Sequence, residues 1–269
     1  MNWSAPFDHP FMVEAFWLGG LISISCAVFS CFLVLKGWSL MGDAISHAAL
    51  PGIVLAHLLG LPLALGALAA ALVCTEVSQW VSRVSPTKED TAMGIVFSGL
   101  FALGLVLYSR SHSDLHLSHI LFGNILGIEA SARWQSVLSA IAALSLLLLR
   151  RRDLTLFCFD AAGARAIGLN CGRLHHLLLI SLGVLTVAAM QAVGILLVVA
   201  MLITPGCTAL LLSKRMGAVL LIAAITAATA STLGIYASFH FDLPSGPCMV
   251  MAQGAMFLLA LVLRRLRHP

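Results

Sequence analysis

Of the 269 residues, 60% are hydrophobic and 10% are charged, and the mean hydropathy is +1.02. A water-soluble domain carries about 25% charged residues because its surface faces water, so this chain falls outside that class and its outer surface must meet lipid. The formal charge of +4 is too small and too scattered to make a nucleic-acid footprint.

A bilayer core takes roughly 20 apolar residues per helix. On that ruler the apolar segments are 13–35, 45–59, 61–81, 91–108, 134–149, 174–190, 194–212, 217–237 and 247–263. Segment 45–59 is short and carries His47, Pro51 and His57. Segment 194–212 is interrupted by Thr204-Pro205-Gly206, which predicts a kink or a re-entrant turn. The expectation is an all-α integral membrane protein of eight to nine spans, in one domain covering 1–269. The N-terminus lacks a basic region and a small-residue cleavage site, so the first apolar run is expected to remain as a span.

Basic residues fall at alternate ends of these segments: Lys36, Arg83 with Lys88, Arg150-Arg151-Arg152, Arg165 with Arg173, Lys214-Arg215, and Arg264, Arg265 and Arg267. The opposite ends carry chiefly Arg110 and Arg133. The positive-inside rule then places the N-terminus outside and the C-terminus inside. Trp17, Trp38, Trp80 and Trp134 lie near predicted span ends, where interfacial indoles are expected. Two connections are longer than the rest: 109–133, outside and rich in His, and 153–173, inside, polar and short-helical.

The seven cysteines include no CxxC pair and sit mostly in apolar segments, where a thiol acts as a small hydrophobe. The sequence contains no GxxxxGK[ST], no HExxH and no GxSxG, so its own residues offer no P-loop, zincin or nucleophile-elbow chemistry. Powered transport would draw on an ion gradient or on a separate ATPase.

The polar residues inside apolar segments are therefore the informative ones. Asp43 and His47 are four apart and share a helix face. A carboxylate and an imidazole together suit a borderline divalent cation, and intramembrane ionisable groups mark substrate paths by default. The alternative reading is a helix start, with Asp43 as cap and His47 packed against a neighbour. Glu76 either lines the path or bonds to a neighbouring helix, the latter being favoured. Gln191 and Thr204 read as helix–helix polar contacts. In the outer connection His112, His116 and His119 have helical spacing and suit a cation-attracting vestibule, against a plain solvated loop. Asp242 with His240 presents the same two readings.

At this point a family resemblance emerges. Gly42-Asp43-Ala44-Ile45-Ser46-His47-Ala48-Ala49-Leu50-Pro51-Gly52 resembles the GDxxSHxxxPG signature of permease subunits of ABC importers for manganese, iron and zinc. The stretches 89–95, 120–127, 193–206 and Pro244-Ser245-Gly246-Pro247 are similar to further segments of that family, in order and across nearly the whole chain. The resemblance implies a fold of the vitamin-B12-importer type (a type II ABC importer) and a pair of permeases, identical or paralogous, in a bacterial cytoplasmic or inner membrane. Two cytoplasmic ATPases and an external solute-binding protein would complete the system. Its cargo would be a transported divalent metal ion with no permanently bound cofactor, and Asp43 and His47 would contact the metal. The segment 159–169 resembles the short coupling helix that docks on the ATPase, with Asp160, Ala164 and Gly168 as its marks. Pro51 and Thr204-Pro205-Gly206-Cys207 look closer to manganese and iron members than to zinc members. Two other classes compete: a gradient-driven secondary metal transporter, which needs more intramembrane carboxylates, and an intramembrane metalloprotease, which needs a fuller ligand set.

Overall fold

A computed structural model describes residues 8–38, 40–86, 89–110 and 130–267. Among them the chain forms eleven helices and no strand. Their order is α1 (Pro10–Lys36), α2 (Met41–Leu58), α3 (Leu63–Val84), α4 (Glu89–Arg110), α5 (Ala130–Leu149), α6 (Arg151–Phe159), α7 (Ala161–Ala166), α8 (Cys171–Val193), α9 (Ile195–Leu212), α10 (Met216–Phe241) and α11 (Ser245–Arg267). Seven of these, α1, α3, α4, α5, α8, α10 and α11, are long and apolar enough to cross a membrane unaided. The remaining membrane-scale helices, α2 and α9, are 18 residues each and contain Pro51 and Pro205.

The nine segments read from hydropathy each become one helix, with shifted ends. α2 starts at Met41 rather than 45, because the helix runs through the polar pair that a hydropathy ruler rejects. α11 continues through Arg264 and Arg265, since backbone hydrogen bonding does not stop where the bilayer does. The helix ends place Lys36, Arg83, Arg150–Arg152, Arg173 and Lys214-Arg215 on one side under strict alternation. On the other side Arg133 is paired with Glu14, which ties α5 to α1. Trp17, Trp80 and Trp134 are exposed, as interfacial indoles should be, but Trp38 is buried at 3%. Its position between two helix ends put it inside the protein rather than at the lipid boundary.

Lipid tails are as apolar as leucine, so spans associate through close packing and interhelical hydrogen bonds rather than through the hydrophobic effect. α2 crosses α3 at Gly52 and Gly66, where a Cβ on Gly52 would lie 2.0 Å from the Gly66 carbonyl oxygen. α10 crosses α11 at Gly234, against the Met249 backbone. α9 is joined to the central helix α1 by a polar clamp. The Ser30 hydroxyl donates to the Ile203 carbonyl (3.0 Å) and accepts from the Gly206 N–H (2.9 Å), one on each side of Pro205. A proline supplies no N–H to its own helix, so Ser30 braces α9 at its weakest point. Higher on the same pair, Ser23 Oγ meets Met201 Sδ at 3.7 Å, which sets α9 parallel to α1. Between α8 and α9 stands a single residue, Gly194, at φ 82, ψ 162.

Candidate metal path

α2 carries the pair that the sequence singled out. His47 Nε2 lies 3.2 Å from Asp43 Oδ1, and both side chains are about one-quarter exposed. The helix is capped by Leu40 with no side-chain hydrogen bond, so the Asp43 carboxylate is turned to His47 rather than to the helix start. The imidazole is held from α4: it stacks on Phe97 (6.0 Å) and meets Phe101 edge-on (5.0 Å). Its Nδ1 is buried without a hydrogen-bond partner. Below the pair, Gly42 lies so close to α9 that a Cβ would come within 2.6 Å of Leu202 Cδ1. Above it, Pro51 packs on Gly104 of α4 and brings no N–H to the carbonyl of His47 four residues earlier. The pair is thus packed against α4 and stands next to the close approach of α2 to α9 at Gly42.

A carboxylate oxygen and an imidazole nitrogen at this spacing offer two of the ligands a Mn²⁺, Fe²⁺ or Zn²⁺ ion takes. Among the described residues no group of three or more His, Cys, Asp and Glu side chains gathers at one point. Among the described residues the pair would thus make a partial ligand set, of the kind that suits a site that must release its ion.

His112, His116 and His119, and the similar segment 120–127, lie outside the described residues. Asp242 is the exposed C-cap of α10 in a left-handed conformation (φ 52), and His240 stacks on Tyr236 at 4.3 Å. Glu76 reaches across from α3 to α8, where His176 Nδ1 lies 3.1 Å from its Oε1. That partner was invisible in sequence, being one hundred residues away with no shared periodicity. Ser30 was missed as well, although a proline-broken span implies that some neighbour must meet its backbone.

The inner connection is a helix–turn–helix. Asp160 ends α6 and caps α7, accepting from the N–H groups of Ala162 and Gly163 (3.0 and 2.9 Å). Ala164 is fully buried, so it seats α7 from beneath instead of offering a close-approach surface outward. The exposed rim includes Phe159, Asp160, Ala162, Arg165, Ile167 and Gly168, the last left-handed at φ 86.

The sequence pattern of the ABC 3 transport family matches residues 8–264. The chain is 48% identical over 264 residues to the chelated iron transport system membrane protein YfeD of Yersinia pestis, covering 98% of this chain and 89% of that protein. It is 43% identical over 257 residues to the manganese transport system membrane protein MntB of a Synechocystis strain, covering 96% and 84%. Among solved structures it superposes on PsaBC from Streptococcus pneumoniae, solved in complex with a Fab, with a TM-score of 0.87 and 35% identity, over 96% of this chain and 94% of that one.

Proposed function

The chain belongs to the ABC 3 transport family, and from that membership we infer that it is the multi-pass permease subunit of an ATP-driven importer of divalent transition metal ions in a bacterial cytoplasmic membrane. The observation that carries the metal reading is the Asp43–His47 pair on α2, held by aromatic rings of α4. In this reading the cargo ion exchanges some of its water for Asp43 and His47. The remaining ligands come from water and from a second permease, identical or paralogous. Manganese and iron are favoured over zinc, in keeping with the relatives' names. ATP hydrolysis belongs to separate cytoplasmic subunits that dock on α7, and an external binding protein delivers the ion.

A gradient-driven transporter has less to work with. Among the described residues the membrane-scale helices offer few carboxylates besides Asp43, chiefly Glu14, paired with Arg133, and Glu76, paired with His176, where coupling to protons or sodium calls for more. The discriminating experiment is uptake of ⁵⁴Mn, ⁵⁵Fe and ⁶⁵Zn by cells carrying this chain with its ATPase, comparing wild type, Asp43→Ala and His47→Ala at matched expression. Uptake that needs the ATPase and disappears in both variants supports the importer. Uptake that persists without the ATPase, or ignores both substitutions, refutes it.

A further inference from the structure

The inner ends of α1, α6 and α8 meet in a cluster of aromatic and basic side chains that the metal pair does not use. Gly37 turns left-handed (φ 80), and the Trp38 N–H donates to the Leu33 carbonyl at 2.8 Å, which closes α1. The Trp38 carbonyl then accepts from the Met41 N–H at 3.2 Å, at the start of the helix that holds Asp43. One residue is therefore backbone-bonded both to the helix that ends and to the helix that begins.

The buried Trp38 indole meets the His175 ring edge-on at 5.0 Å, and His175 meets Phe157 of α6 edge-on at 6.4 Å. The Lys36 ammonium sits 4.5 Å from the centre of the Phe157 ring and 5.8 Å from that of Trp38, a cation shared by two aromatic faces. His175 also abuts His176 at 5.7 Å, and His176 holds Glu76 of α3. Phe157 lies three residues before Asp160, the residue that caps α7. From α7 to the root of α2 the path thus runs through packed rings, which have few rotamers and low compressibility and so pass displacement on rather than absorb it.

We propose that Trp38 and His175 are positioning residues that carry movement of α6 and α7 to the start of α2, and so tie events at the inner face to the geometry of Asp43 and His47. The proposal rests on α7 as the ATPase-docking element and on Asp43 with His47 as ion contacts. Trp38 sets the angle at which α2 leaves α1, and His175 is the ring through which Phe157 reaches it. A rotation of α6 would swing the ligand pair about its grip on Phe97 and Phe101 without unfolding either helix.

The test uses the assembled importer, with its ATPase and manganese-loaded binding protein, in liposomes where ATP hydrolysis and ⁵⁴Mn import are read from the same vesicles. In His175→Leu and Trp38→Leu hydrolysis persists while manganese imported per ATP falls roughly tenfold, within the usual range of coupling between distant sites. Trp38→Phe, which keeps a ring against His175, restores most of the ratio. Hydrolysis and import declining in step would mean that the cluster only supports the fold. An unchanged ratio in both Leu variants would mean that it transmits nothing. Either result overturns the proposal. In the otherwise wild-type assembly, Ile167→Cys on the exposed rim of α7 should cross-link to the ATPase. Absence of that cross-link would remove the docking premise itself, separately from the ratio.

Discussion

Removing the Ser30 hydroxyl tests how the proline-broken α9 is held. Ser30→Ala deletes one oxygen from a fully buried side chain and leaves the packing volume almost unchanged. Two hydrogen bonds disappear: the one donated to the Ile203 carbonyl and the one accepted from the Gly206 N–H. Hydrogen bonds between membrane helices average about 0.6 kcal/mol and reach about 1.7. Two bonds flanking a residue that supplies no N–H give an expected loss of about 1–3 kcal/mol. Ser25→Ala is the control, because its hydroxyl donates to the Leu21 carbonyl of its own helix at 2.8 Å and ties α1 to no other helix. The assay is reversible unfolding in mixed micelles with increasing dodecyl sulfate, read by helical circular dichroism. A Ser30→Ala loss no larger than that of Ser25→Ala would refute the clamp and leave α9 held by apolar packing alone.

Three further outcomes follow from named contacts. Gly52→Ala destabilises by about 3 kcal/mol or more, because the new methyl would meet the Gly66 backbone, which cannot turn aside. Gly20→Ala, with nothing within 4 Å of its Cβ, is neutral or gains up to about 1 kcal/mol; equal effects at the two sites, in the same unfolding assay, would contradict the close crossing. A double-mutant cycle of Glu14→Gln and Arg133→Gln should give a coupling energy of about 0.5–1 kcal/mol that weakens in high salt, as a partly exposed ion pair should. On α6, burial pushes the Cys158 thiol up to about 12, with Lys36 pulling weakly the other way. Maleimide at pH 8 should leave it unlabelled in the native protein and label it in dodecyl sulfate. Since the folded thiol keeps its proton to higher pH than the unfolded one, its contribution to stability is complete below pH 9 and is lost as pH rises toward 12.

The class and the nine segments were legible because composition and hydropathy are one-dimensional signals. Asp43 and His47 were legible for the same reason, as four residues on a helix fix one face. Legibility failed where the decisive neighbour is remote in sequence. Nothing local couples Glu76 to His176, or Ser30 to Gly206. Trp38 illustrates a different failure: an indole between two spans is expected at the lipid boundary, and here the chain folds α6 and α8 over it. The crossing of α2 and α3 did leave a trace that spacing alone exposes. Gly52 with Ala56, and Gly66 with Ala70, are small residues four apart on facing helices.

Gly194 has a consequence for how the chain enters the membrane. α8 and α9 together run from Cys171 to Leu212 with only that residue between them. As one uninterrupted helix they would make a rod of about 60 Å, twice the hydrocarbon thickness. The backbone at φ 82, ψ 162 lies in a region open essentially to glycine alone. A missing Cβ is thus what turns a single overlong rod into an outgoing and a returning span, and it returns Lys214 and Arg215 to the side where Arg173 began. The orientation of the last quarter of the chain hangs on one hydrogen atom standing where every other residue would carry a carbon.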